Sequence, residues 1–169
     1  MDHLVIASKL EENAKVFEAL LSQKHSEVIL FRPAPDKWNF LEIISHLLDE
    51  EREDFRARVK HVLETPLDPM PKIDPAGWVK SRNYIGNEFQ KTLTDFLAER
   101  KRSVEWLRSL HTPNWEQTYQ HEKMGALPAK MFLINWHAHD LLHMRQIIRL
   151  EFEYTQSTYN EKLDYAGNW

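Results

Sequence analysis

Cysteine is absent from the 169-residue chain, which excludes a disulfide framework, a thiolate metal site and a cysteine nucleophile. Glycine is scarce, with four residues, and leaves little material for the tight turns of an all-β fold. No apolar run approaches the ~18 residues of a membrane span, so no membrane partner is expected. The opening Met1-Asp2-His3-Leu4-Val5-Ile6 lacks a positively charged n-region and does not read as a secretion signal. With the missing cysteines, this predicts a cytoplasmic protein. Blocks of like charge are also missing: the net charge is −4 with both signs mixed. Lys101-Arg102 and Arg145/Arg149 are interleaved with acids, the pattern of a solvated face rather than a phosphate-tracking groove, and no nucleic-acid partner is expected. Neither a Gly-rich phosphate loop, a serine nucleophile motif nor an internal repeat is present.

What the chain has instead is large core side chains, with six Trp, five Tyr and eight Phe, and enough length for one well-buried domain. Apolar residues recur at helical spacing in four stretches. The first runs from about His3 to Lys24 (Ile6, Leu10, Ala14, Phe17, Leu20/Leu21). Pro33 and Pro35 then force an extended connection. Asn39 with Glu42 three residues on is a near capping box and opens the second helix, which the pattern carries to about Glu64. Four prolines make residues 65 to 77 an irregular crossover, with Trp78 and Tyr84 placed to pack over one end. The third helix is read from about Asn87 to Leu110, and carries Arg100 on its apolar side, where a structural ion pair is the expected use. Residues 111 to 127 are irregular with room for a short strand or turn, and Pro128 is well placed to start a fourth helix running to about Phe152. The expectation is an all-α four-helix bundle with long crossover connections over residues 1–152, followed by a tail over 153–169 that docks or stays loosely ordered.

The chemistry concentrates in Asn135 to Ile147, which holds three of the nine histidines within seven residues. On a helix His139 and His143 stack on one face, about 6 Å apart along the axis, a spacing that can close on one metal ion. His137 is turned about 160° away from His139 and is set aside. On the second helix His46 adjoins Ile43 and Leu47 on the wheel and points into the bundle or its rim. Taken alone it reads as a hydrogen-bonded core histidine; with the other two it makes a three-imidazole set that suits zinc, nickel or iron and keeps a position open.

The run Lys37-Trp38-Asn39-Phe40-Leu41-Glu42-Ile43-Ile44-Ser45-His46-Leu47-Leu48-Asp49-Glu50-Glu51-Arg52 resembles the "KWS…EIxxHLxxxExR" stretch of the DinB-like (YfiT-like) superfamily. His139-Asp140-Leu141-Leu142-His143-Met144-Arg145-Gln146-Ile147 is similar to its "HDxxHxxQI" motif, and Phe96…Arg100 and the turn at Gly125-Ala126-Leu127 to its middle. The resemblance spans roughly residues 5 to 152. It implies an up-up-down-down bundle, a divalent metal, nickel or zinc, held by His46, His139 and His143, and dimers, which are common among such proteins. It also implies a metal-dependent enzyme for a small-molecule substrate, foremost a thiol S-transferase using a low-molecular-weight thiol such as bacillithiol. The alternatives are a hydrolase with a metal-activated water and a non-catalytic, metal-stabilised interaction module. For a catalytic carboxylate beside the site the helical wheel keeps Glu50 closer to His46, but the family pattern points to Glu51, and Glu51 is the residue expected to orient or activate the water. Asp140, one residue from His139, is expected either to orient neighbouring groups or to form a helix-surface ion pair.

Overall fold

A computed structural model of the chain describes residues 1–167, and within them helices dominate. The elements run α1 (His3–Leu21), α2 (Ser26–Ile29), α3 (Phe40–Glu53), α4 (Phe55–Glu64), α5 (Pro75–Ser81), a 3₁₀ turn (Tyr84–Gly86), α6 (Phe89–Ser109), β1 (Thr118–His121), β2 (Gly125–Pro128), α7 (Ala129–Tyr159) and a last 3₁₀ turn (Asp164–Ala166). Local chemistry sets the ends. Asp2 caps α1 through the Leu4 N–H. Asn39 and Glu42 form a full capping box at α3, and Glu88 caps α6 by accepting from Gln90 and Lys91. Before α7 the chain forms an antiparallel hairpin, Thr118 opposite Pro128 and His121 opposite Gly125, whose return needs the left-handed φ of +74° that Gly125 supplies. That hairpin region also feeds α7, because the Gln117 and Trp115 carbonyls accept from the first helical N–H groups, Ala129 and Lys130.

Three features differ from the sequence expectation. First, the second predicted helix is not continuous: Asp54 (φ −111°, ψ −91°) separates α3 from α4. Beyond the break Phe55 stacks on Trp136 of α7 (6.2 Å, 10° between planes), while Asp54 pairs with Arg58 one turn on. Second, α7 runs past Phe152 to Tyr159 and ends where Asn160 turns left-handed (φ 51°). The continuation is anchored by Tyr154, whose ring meets Phe31 edge-on, and the chain then brings Leu163 back beside Phe152 and Leu20. Of the expected tail, Trp169 lies outside the described residues.

Third, the helix directions are not up-up-down-down. Along α1, Phe17 meets Phe96 and Glu11 meets Arg108, so α1 and α6 are antiparallel. Asn87 and Glu99 meet Ser45 and Arg52, so α3 and α6 are parallel. His46 lies against His143 and Glu51 against Trp136, so α3 and α7 are antiparallel. Asn13 meets Asp140 and Lys24 meets Glu151, so α1 and α7 are parallel. The order is up-down-down-up, and the parallel pair α3/α6 is what requires the long crossover carrying α5.

The bundle has two apolar clusters rather than one. One gathers Phe17, Phe40, Ile44, Phe96 and Ile147; the other gathers Leu10, Val59, Leu107, Leu133 and Trp136. Between them lies a layer of buried polar residues, and the candidate site opens beside that layer.

Candidate metal centre

The capping box starts α3 at Phe40, so His46 falls in its second turn and Glu50 one turn later on the same face. His139 and His143 hold the same relation on α7. Because α3 and α7 run antiparallel, these two faces meet. One donor atom from each of His46, His139 and His143 lies within 4.8 Å of the other two. His139 Nε2 is 3.0 Å from His143 Nε2 and 2.8 Å from Glu50 Oε2, and Glu50 Oε1 is 3.4 Å from His46 Nε2. Two aromatic rings wall the group: Trp38 lies 4.8 Å from the His46 ring and Phe55 5.0 Å from the His139 ring. The break at Asp54 is what delivers Phe55 there.

The protonation pattern is that of ligands. A carbonyl oxygen can only accept, so the 2.8 Å contact to Gln146 Oε1 places the proton of His143 on Nδ1 and leaves the Nε2 lone pair facing inward. Burial, reinforced by the neighbouring His139 and His46 rings, pushes the His143 pKa down to about 3. Burial likewise lowers that of His46, against the pull of Glu50. Both rings are therefore neutral at physiological pH, the state a metal ligand needs. Glu50 Oε2 is buried and, although 2.8 Å from His139 Nε2, makes no hydrogen bond. Converging imidazole nitrogens beside an under-used buried carboxylate are the arrangement a divalent cation would satisfy, and the residues fit one.

Glu51, the carboxylate expected beside the site, stands elsewhere, because one residue on from Glu50 it is turned about 100° round α3. Its Oε2 is 2.9 Å from Arg100 Nη2 and accepts from Trp136 Nε1 at 3.0 Å. Asp140 is fully buried, not on the helix surface: it takes both terminal nitrogens of Arg100 at 2.6 and 2.8 Å and a bond from Asn13 at 2.9 Å. Arg100 thus makes the expected structural ion pair, with two carboxylates at once. His137, set aside on the wheel, contacts Asn13 at 3.1 Å instead of the centre. Glu50 is the carboxylate that closes on the imidazoles, and the i, i+4 relation to His46 was its signal in the sequence.

Residues 9–147 match the DinB superfamily. Among solved structures, the chain is similar to a protein described as "YfiT from Bacillus subtilis is a probable metal-dependent hydrolase with an unusual four-helix bundle topology". The likeness has a TM-score of 0.77 at 15% identity, over 89% of this chain and 86% of that one, and shows a shared fold. No curated protein matches the chain. With most of its length matched and its histidine faces meeting as described, the chain belongs to the DinB superfamily.

Proposed function

We propose that the protein is a metal-dependent hydrolase of small molecules, with His46, His139 and His143 holding one divalent ion and Glu50 acting as the proton acceptor. One observation carries this reading: a buried carboxylate stands 2.8 and 3.4 Å from two of the three imidazoles. Neutral nitrogen donors suit zinc or nickel, and iron is compatible. When bound, such an ion supplies Lewis acidity, which polarises a substrate carbonyl and acidifies a nearby nucleophile. Glu50 takes the proton of the attacking water as the new bond to carbon forms, then returns it to the leaving group as the old bond breaks. Trp38 and Phe55 keep bulk water from the flanks of His46 and His139. A thiol S-transferase would use the same histidines, with Glu50 accepting the proton of a thiol in place of water.

The test compares wild type with Glu50→Gln and His139→Ala, reading metal content by elemental analysis and turnover on activated esters, amides and thiol plus electrophile. The expected result is about one ion per chain in wild type and in Glu50→Gln, a large loss in His139→Ala, and a fall of about a hundredfold in turnover for Glu50→Gln. Turnover with thiol alone would transfer the reading to the S-transferase. A wild type that takes up no divalent ion, or a metal-replete Glu50→Gln with full turnover, would sink it.

A further inference from the structure

A groove leads from the histidine centre along the outer face of α7. Its inner part, a recess of about 630 Å³, is lined by His143, Gln146, Arg145 and Arg149. Its outer part, about 480 Å³, shares Gln146 and Arg149 and adds Lys37 and Trp38. Both ends touch the centre. Gln146 is hydrogen-bonded to His143, and the Trp38 ring packs against His46.

The charge along this groove runs against that of the chain. In a protein of net charge −4, it collects Lys37, Arg145 and Arg149 against one lining acid, Glu153. Glu153 is occupied by Arg149 at 2.9 Å, and Lys37 sits 3.3 Å from Asp36. Arg145 is exposed and has no ion-pair partner among the described residues, beside a Gln146 whose amide N–H groups stay available because its oxygen is used on His143. An Arg145 that only solubilised the helix would need no recess in front of it. The donors come from side chains midway along α7, away from any helix N-terminus, so the backbone N–H cradle common in phosphate sites is missing here. Planar guanidinium and amide donors suit a planar carboxylate.

We infer that this groove is a substrate subsite for a carboxylate, so that the small molecule acted on carries an anionic carboxylate a few bonds from its reacting group. The carboxylate sits between Arg145, Arg149 and the Gln146 amide, with Lys37 at the outer end and Trp38 covering the apolar stem. This rests on the histidine centre being the place of reaction. Lys37 and Arg149 keep their present partners until an anion competes for them, whereas Arg145 is free to bind at once.

Binding, not turnover, tests the subsite, which keeps its failure separate from failure of the hydrolase reading. Zinc-loaded protein is titrated with succinate and with its neutral isostere succinamide, following backbone amide shifts by NMR. Succinate should shift Arg145, Gln146, Arg149 and Lys37, and succinamide should not. An Arg145→Glu/Arg149→Glu variant with unchanged zinc content should bind succinate about tenfold more weakly or worse, as expected for losing two exposed charge contacts and gaining repulsion. Rising salt should weaken the wild-type interaction. Equal binding of succinamide, shifts confined to the three histidines, or undiminished binding by the variant would overturn the inference, the last two because the carboxylate would then be meeting only the metal.

Discussion

Two polar clusters lie buried a few residues apart on the same helices, and they are built on opposite principles. Around Arg100 opposite charges are paired: the guanidinium bridges Asp140 and Glu51, and Asn13 and Trp136 donate to the same carboxylates, with Arg100 Nε and Glu51 Oε1 left over. Around Glu50 the imidazole nitrogens face one another, and its Oε2 is left without a hydrogen bond. Sequence neighbours divide between the two. Glu50 and Glu51 are separated by about 100° on α3, as are His139 and Asp140 on α7, so one of each pair faces the centre and the other faces the cluster. The cluster fixes the register of α1, α3, α6 and α7, and the centre inherits that register without being consumed by it. Opposed charge makes one a fastener; nitrogens that face one another leave the other free to bind.

The largest expected effect comes from breaking the fastener. Arg100→Met leaves two carboxylates buried without a counter-charge, and should cost about 3–5 kcal/mol of unfolding free energy in denaturant titrations. Burial by itself would lower the Arg100 pKa, but Glu51 and Asp140 outweigh it and raise it, so the positive charge persists at any accessible pH. A loss below 1 kcal/mol would mean that the bridge does not carry the register, and the contrast between the two clusters would fail.

Acid should separate the clusters next. His143 has its pKa pushed down to about 3 in the fold, while the unfolded imidazole titrates near 6.5. The unfolded state therefore takes up a proton below pH 6.5 that the folded state refuses. Stability from this residue is full above that pH and falls by up to about 1.4 kcal/mol per unit down to pH 3. His46, lowered in the same direction, adds to the slope. Metal-free protein should show this decline in denaturation midpoints between pH 6.5 and 4, and His143→Gln should flatten it. An unchanged slope in that variant would show that the centre does not hold its histidines neutral.

Much of this division was legible in the sequence, and its limits are instructive. The positions of His46, His139 and His143 follow from two helices with well-marked starts, because a capping box fixes phase and a period of 3.6 fixes facing. The expectation of Glu51 over Glu50 follows the family motif against the same arithmetic, and it is Glu50 that meets the imidazoles; a motif records which residues occur, and the wheel records where they point. Asp140 was harder, since a lone acid beside a histidine reads as surface until Arg100 on another helix is known to reach it. The break at Asp54 has neither proline nor glycine to announce it, and the apolar pattern runs through it into Val59 and Val62. Direction was misread for a related reason. Connection lengths show that a crossover exists, but only cross-helix partners such as Ser45 with Asn87 show which helices run parallel.

The smallest expected effect probes how the centre stays unsaturated yet ordered. Gln146 holds the Nδ1 proton of His143 and thereby aims Nε2 at the other imidazoles. Gln146→Leu keeps similar bulk on a half-buried position but removes that acceptor, freeing the ring to rotate and to change tautomer. Divalent-metal affinity, measured by competition with a chromophoric chelator, should weaken by about tenfold, the lower end for loss of a partner that orients a ligand. The unfolding free energy of the metal-free protein should change little, because the Arg100 cluster and both apolar clusters are untouched. Gln146→Glu should restore the affinity, since a carboxylate accepts the same Nδ1 proton. If Leu and Glu behave alike, His143 is held by packing alone, and the centre is more like the Arg100 cluster than its open nitrogens imply.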